Sequence, residues 1–173
     1  INSIEDPITD YLPEWKNQDQ DKILLKHLLS MRSGMEDHGF IYVVPDMVSH
    51  SLDRDIMRPP GVAFRYSNED SMLLGEIIQN ATGMSFQEYA DKKVFNLIGT
   101  EETWWTDQEG NTISYASIDM TPREFAKFGL MIAQEGSWQG LDTNEVNDLM
   151  DFVKSEGSNT QAAILIRGSS IIA

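Results

Sequence analysis

The stretch from Pro60 to Asn68 constrains the fold of this chain more than any other, because a turn, an extended run and a helix start follow one another there. It ends in Tyr66, Ser67 and Asn68, which place a phenol, a hydroxyl and a carboxamide at the positive end of the dipole of the next helix. At such a position the pKa of a phenol can be lowered, so that Tyr66 can act as a base. In the alternative interpretation, Ser67 or Asn68 is only the helix N-cap and Tyr66 is only an aromatic contact.

Capping patterns indicate where other helices begin and end. Ser85 and Glu88 have the spacing of a capping box, and Thr121 and Glu124 repeat that spacing with a proline at the first helical position. Gly83 follows an apolar-periodic run and predicts the end of a helix. The patterns predict helices over about 21–32, 69–81, 85–95, 121–136 and 144–154. They also predict a strand and turn over 104–110, a strand-like run at 161–166, a short apolar run at 40–44 and a loop or broken helix at 49–60.

Composition argues against several classes of function. The formal net charge of −15, from 28 acidic and 13 basic residues, disfavours nucleic acid or an anionic membrane surface as a partner. The chain has no cysteine, which excludes disulfides, thiolate nucleophiles and zinc–thiolate sites. Its 3 histidines are too scattered to suggest a metal site, and the sequence contains no Gly-rich phosphate loop and no apolar run of membrane-spanning length. We therefore expect no cofactor, no metal and no membrane span.

A resemblance to a known family depends on an ordered set of segments over residues 1–140, none of which is specific alone. The segments are Ile4–Ile8, Tyr11–Trp15, His27–Gly34, Pro60–Asn68, Leu73–Gly75, Thr82–Phe86, Trp104–Asp107, Arg123–Gly129 and Gly136–Gly140. In order and spacing they resemble the serine β-lactamase-like superfamily, in particular the branch of 6-aminohexanoate-dimer hydrolases and β-lactamase-type esterases.

The resemblance implies an α+β fold of the β-lactamase/transpeptidase type. This chain then supplies mainly the helical subdomain, over residues 1–140, and a helix plus β-hairpin of the sheet side, over residues 141–173, similar to the family's N-terminal segment. The implied activity is hydrolysis of an amide or ester bond in a small-molecule substrate through an acyl-enzyme. The resemblance also favours the periplasm or secretion over the cytoplasm.

The family builds its site from three motifs: Ser-x-x-Lys with the nucleophile, Tyr-x-Asn with a phenol base and a substrate-binding amide, and a Lys-Thr-Gly-like strand. Only the second is visible here, which implies Tyr66 as catalytic, Asn68 as substrate-binding and Ser67 as secondary. No serine of this chain has a lysine three residues later. Because the family places that motif just before the segment that opens this chain, the chain resembles an incomplete or rearranged copy.

The walls of the expected cleft are predicted to be partly apolar. Trp104, Trp105 and the run from Phe40 to Val44 are candidate walls, and in the alternative both tryptophans belong to the core. Three hypotheses stay open: a serine hydrolase whose nucleophile motif is missing from this chain, a non-catalytic β-lactamase-like binding module, and an inert fragment. We expect the chain tested alone to be inert toward amides, esters and β-lactams.

Overall fold

Short helices make up most of the fold, and the computed structural model describes residues 1–16, 18–36, 39–116, 118–134 and Trp138. The α-helices are α1 (Leu25–Leu29), α2 (Met47–Leu52), α3 (Asn68–Thr82), α4 (Phe86–Ala90), α5 (Asn96–Ile98) and α6 (Pro122–Ala133). Turns of 3₁₀-helix lie at Ile8–Asp10, Pro13–Trp15, Asp19–Lys22 and Ile41–Val43, and a π-helical turn at Asp91–Phe95 joins α4 to α5. Strands β1 (Glu102–Trp104) and β2 (Ile118–Met120) pair antiparallel.

This architecture confirms the predicted α+β class, since the fold is mostly helical with a two-stranded antiparallel sheet. Within the described residues, no helix has the length and apolar character needed to cross a bilayer. The helix predicted over 144–154, the strand predicted over 161–166 and the proposed second region over 141–173 lie outside the described residues.

Helix α3 begins and ends where its capping residues predict. The Ser67 hydroxyl accepts a hydrogen bond from the Asp70 N–H (2.9 Å), which satisfies one of the free donors at the helix start. At the other end, Gly83 takes a left-handed conformation (φ 71°) that suits glycine and closes the helix. The predicted range of 69–81 is therefore confirmed to within one residue at each end.

The predicted starts of the later helices are also confirmed, with a complete capping box at Ser85 and an N-cap bond at Thr121. Ser85 N–H donates to the Glu88 carboxylate (2.9 Å), and Glu88 N–H donates back to the Ser85 hydroxyl (3.2 Å). The Thr121 hydroxyl accepts from the Glu124 N–H (3.3 Å) at the start of α6. Local sequence thus determines these helix starts with little contribution from distant contacts.

The prediction of one helix over 21–32 is wrong, because only α1 is α-helical in this range and a 3₁₀ turn precedes it. Leu24 between them is extended (φ −103°, ψ 159°) and forms a bridge with Pro7. The Ile8 N–H donates to the Ile23 carbonyl (3.1 Å), and the Leu25 N–H donates to the Asp6 carbonyl (3.0 Å). Pairing with the N-terminal segment therefore replaces the hydrogen bonds that a longer helix would form.

Helix α3 organises the core because it contributes to three buried clusters. Leu73 and Ile77 pack with α1 and the N-terminal 3₁₀ turns, and Ile78 packs with α4 and α6. Met72 joins a smaller cluster with Ile41 and Ile113. This packing holds the N-terminal turn of α3, and with it the Tyr66–Asn68 segment, against the rest of the fold.

A single carboxylate ties the turn after β1 to the start of α2. Asp107 Oδ1 accepts from the N–H groups of Glu109 (3.0 Å) and Asn111 (2.9 Å). Its Oδ2 accepts from the Met47 N–H (2.9 Å). This bond satisfies a free donor in the first turn of α2 with a side chain that lies far away in sequence.

Candidate active site

The Tyr66–Asn68 segment lies at the start of α3, where the buried carboxyl group of Asp70 hydrogen-bonds to Ser67. Ser33 Oγ donates to Asp70 Oδ1 (2.6 Å), and Ser67 Oγ donates to the same oxygen (3.1 Å). The side chain of Asp70 is fully buried. Burial raises its pKa from the ordinary 3.8 to about 7, although the hydrogen bonds from Ser33 and Ser67 act in the opposite direction. Ser67 is therefore the N-cap, as one of the two sequence interpretations holds, and its hydroxyl faces inward.

Tyr66 presents its phenol at the surface, with 58% of the side chain exposed. Its pKa lies above the ordinary 10.0, chiefly because of partial burial and secondarily because of the charge of Tyr42. The lowered pKa that the helix dipole predicts is therefore wrong, because desolvation of the phenol raises its pKa instead. At neutral pH the phenol is protonated and can donate a hydrogen bond, and a cation beside it would be needed to make it a base.

Asn68 is nearly buried, and the two ends of its carboxamide lie in different surroundings. Its Nδ2 donates to the phenol oxygen of Tyr42 at 2.6 Å. Its Oδ1 is buried without a hydrogen-bond partner among the described residues. A buried carbonyl oxygen without a donor costs roughly 1–3 kcal/mol, and such an atom in a native fold calls for a physical explanation.

Tyr42 and Tyr115 form an aromatic wall beside Asn68. Their rings meet edge to face, with centroids 5.6 Å apart and planes at 78°. The Tyr115 hydroxyl contacts Met47 Sδ (3.4 Å), and burial raises its pKa to about 12. Tyr42 lies within the 40–44 run, which the sequence predicts to be a wall of the cleft. No sequence pattern predicts a role for Tyr115.

A second acidic side chain lies under the same helix start. Glu69 is 2% exposed, and its Oε1 is 4.0 Å from His50 Nε2 of α2. The negative charge of Glu69 is one of the influences that raise the pKa of Tyr115. The described surroundings of the Tyr66–Asn68 segment thus combine an exposed phenol, a half-satisfied amide and buried carboxyl groups.

Comparison with known proteins identifies the family of this chain. The family model for Beta-lactamase matches residues 2–162. The chain belongs to the β-lactamase family. Penicillin-binding protein 4* of Bacillus subtilis (strain 168) is 28% identical to this β-lactamase-family chain over 115 residues, which are 60% of this chain and 25% of that protein. A Beta-lactamase of Escherichia coli (strain K12) is 29% identical over 110 residues, covering 58% of this chain and 28% of that protein.

Solved structures share the fold of this β-lactamase-family chain. A Bacillus anthracis protein provisionally assigned as a 6-aminohexanoate-dimer hydrolase superposes with a TM-score of 0.76 at 23% identity, covering 86% of this chain and 46% of that one. The octameric penicillin-binding protein homologue from Pyrococcus abyssi gives a TM-score of 0.59 at 20% identity, covering 78% of this chain and 40% of that one. The chain thus spans less than half of each structure, and less than a third of each of the two curated relatives.

The two tryptophans that the sequence offers as cleft walls, Trp104 and Trp105, differ in their surroundings in this β-lactamase-family chain. Trp104 packs edge to face on Phe86 (5.5 Å) and Phe95 (5.7 Å) within the cluster of α4–α6. The structure therefore favours the core alternative for Trp104. Trp105 is 60% exposed, and its indole N–H donates to Asp119 (2.9 Å). Only Trp105 has the exposure that a cleft wall requires.

No metal-binding cluster is built by the described part of the chain, where His, Asp and Glu never converge in a group of three that could hold an ion. His27 instead serves α1, since its Nδ1 accepts a hydrogen bond from the Leu24 N–H (3.1 Å). Burial lowers the pKa of His27, so the neutral ring that accepts this bond is the favoured form.

Proposed function

We propose that this chain is part of a serine hydrolase that cleaves amide or ester bonds through an acyl-enzyme. The observation that carries the proposal is the exposed phenol of Tyr66 beside Asn68, whose buried Oδ1 has no donor within the described residues. Membership of the β-lactamase family supports this role. We assign Tyr66 and Asn68 to the family's Tyr-x-Asn motif because they are the residues of this sequence that fit it. A small-molecule substrate follows from the same membership.

In the proposed reaction the nucleophilic serine comes from residues that this sequence does not contain, since it has no Ser-x-x-Lys. The serine oxygen bonds to the substrate carbonyl carbon, and the amide C–N or ester C–O bond breaks. The serine proton passes by way of Tyr66 to the leaving nitrogen or oxygen. A lysine ammonium beside Tyr66 would lower the raised phenol pKa and supply a donor to Asn68 Oδ1.

Asn68 is proposed to bind the substrate carbonyl, with Ser67 keeping the helix start in place. Trp105 and the exposed aromatic rings of the 40–44 run are proposed as apolar walls of the cleft. Phe40 is 69% exposed and Tyr42 is 61% exposed, so both rings are accessible to a ligand. Large exposed aromatic side chains beside polar groups are typical of a ligand-binding surface.

The second candidate function is a non-catalytic β-lactamase-like module that binds a ligand in the same cleft. One observation favours it: the raised pKa of the Tyr66 phenol, which keeps that group protonated at neutral pH. The two functions differ in what they predict for Tyr66, because a binding module does not need that phenol to accept a proton.

Tyr66→Phe is expected to lower turnover about a hundredfold or more in a protein that carries this chain together with a Ser-x-x-Lys segment, the usual scale for losing a general base. The measurement is kcat for a small ester and a small amide. Tyr11→Phe is the matched control, because the Tyr11 hydroxyl bonds to Asp6 (2.6 Å) in a different part of the fold. An unchanged kcat in the Tyr66 variant would favour the binding module.

The chain tested alone is expected to remain unlabelled by a fluorophosphonate or a penicillin probe, because it lacks the family's nucleophile motif. Intact-mass spectrometry after incubation gives the stoichiometry directly. A single stoichiometric adduct on any serine would show that the nucleophile lies within this sequence and that its assignment to other residues is wrong.

A further inference from the structure

Tyr42 combines an exposed ring with a hydroxyl held at a defined place. The side chain is 61% exposed, yet its oxygen accepts from Asn68 Nδ2 at 2.6 Å, a short distance for such a bond. A surface tyrosine normally hydrogen-bonds to water, so a contact with a nearly buried amide distinguishes this residue from the other exposed aromatics.

The position of Tyr42 is set by the core beneath it. Its neighbour Ile41, in the same 3₁₀ turn, is fully buried with Met72 of α3 and Ile113. Tyr115 supports the Tyr42 ring edge to face at 5.6 Å. Because both supports belong to the packed interior, the phenol oxygen has little freedom to follow a rotating amide.

A carboxamide carries two N–H donors on one side and a carbonyl acceptor on the other. In Asn68 one N–H is held by Tyr42, and the carbonyl oxygen points into the buried side. A 180° turn of the amide would place its carbonyl oxygen at the phenol and its NH₂ group in the buried position. The two orientations differ in which atoms a substrate carbonyl meets. The observed one keeps a second N–H on the side of Tyr42, whereas the turned one moves both N–H groups to the buried position.

We propose that Tyr42 is a positioning residue that fixes the orientation of the Asn68 carboxamide, so that one N–H stays on the phenol and the other serves the substrate carbonyl. This inference rests on the proposed hydrolase function for its catalytic consequence, whereas the orientation itself is a property of this chain. Tyr42 acts through Asn68 and takes no part in proton transfer.

The first experiment measures the orientation without any substrate. In the ¹⁵N-labelled 173-residue chain, Tyr42→Phe keeps the ring and removes only the hydroxyl. The Asn68 side-chain NH₂ resonances are expected to shift and their nuclear Overhauser contact to ring 42 to weaken. Tyr11→Phe, which removes a distant hydroxyl bonded to Asp6, is expected to leave those resonances unchanged. Unchanged Asn68 resonances in a folded Tyr42→Phe chain would overturn the inference.

The second experiment measures catalysis in a protein that carries the chain with a Ser-x-x-Lys segment. One hydrogen bond worth about 0.5–1.5 kcal/mol corresponds to a fall in kcat of roughly two- to tenfold for Tyr42→Phe, with KM little changed. If the wild type hydrolyses the substrate but the Asn68 resonances do not change in Tyr42→Phe, the positioning role is refuted and the proposed function is not. Shifted resonances with no hydrolysis by the wild type refute the proposed function and leave the positioning role standing.

Discussion

Asp70→Asn is expected to raise the free energy of unfolding by about 1–3 kcal/mol at pH 8. Removing the buried charge gains about 1.36 kcal/mol per pKa unit, and part of that gain is lost because the new NH₂ group takes the place of Oδ2, which is buried without a partner among the described residues. The native carboxyl has a pKa of about 7 and its ordinary value is 3.8, so ionising it in the folded protein is costly. Asparagine keeps an acceptor oxygen for the hydroxyls of Ser33 and Ser67 and carries no charge.

The sign of the pH dependence follows from which state holds the proton. Between pH 3.8 and about 7 the folded protein keeps the Asp70 proton that the unfolded chain has released. Stability from this group is therefore fully present below pH 3.8, falls by about 1.4 kcal/mol per pH unit up to about pH 7, and stays at the lower level above that. The neighbouring charge of Glu69 adds to the raised pKa.

Urea unfolding of both proteins at several pH values between 4 and 8 tests this expectation. The difference between variant and wild type isolates Asp70, since other carboxyl groups with a raised pKa, such as Glu102, are common to both. Asp10→Asn, at an exposed position in the first 3₁₀ turn, is the control and should change stability by about 0.5 kcal/mol or less. Parallel stability curves for Asp70→Asn and wild type would contradict the assignment.

Gly34→Ala is expected to lower the free energy of unfolding by about 4 kcal/mol or more, which places it among the exceptional single substitutions. Gly34 has a φ of +82°, and a Cβ there would lie 2.1 Å from the Arg58 carbonyl oxygen. That oxygen belongs to backbone held close to Gly34, because the Arg58 N–H donates to the Gly34 carbonyl (3.2 Å). The clash therefore cannot be relieved by rotating a side chain.

Gly110→Ala separates the cost of the left-handed backbone conformation from the cost of the steric clash. Gly110 has a similar φ of +90°, but a Cβ there meets nothing within 4 Å. It should therefore lose only the roughly 1–2 kcal/mol that an L-residue costs in the left-handed region. Thermal and urea unfolding give both values, and equal losses in the two variants would show that the contact with Arg58 has no energetic weight.

Sequence patterns predicted the helices whose ends are determined locally. Ser67, Ser85 and Thr121 cap α3, α4 and α6 with their own hydroxyls, so the residues that define each start lie within three positions of it. The range 21–32 was wrong because Leu24 pairs with Pro7, a contact that helical periodicity does not contain. Tertiary pairing overrode local propensity at that point.

The candidate site was partly predictable because two of its residues are close together in the sequence. Tyr66 and Asn68 stand in one short motif, and the sequence places both at a helix start. The direction of the Tyr66 pKa was not predictable, since it depends on burial and on the charge of Tyr42. The pairing of Tyr42 with Tyr115 joins segments that only the packing around Met72 and Ile113 brings together.

The hydrogen bonds of Asp107 have a consequence for local opening of the structure. The turn after β1 and the start of α2 share one carboxylate, so neither can separate from the other without breaking the Met47–Asp107 bond. Such segments open as one cooperative unit, with a common protection against amide hydrogen exchange. The Tyr115 hydroxyl also donates a hydrogen bond to the sulfur of Met47. We therefore expect opening of this turn to release Met47 and, with it, one support of the aromatic wall beside Asn68, so that a ligand stacked on the wall slows amide exchange in the turn.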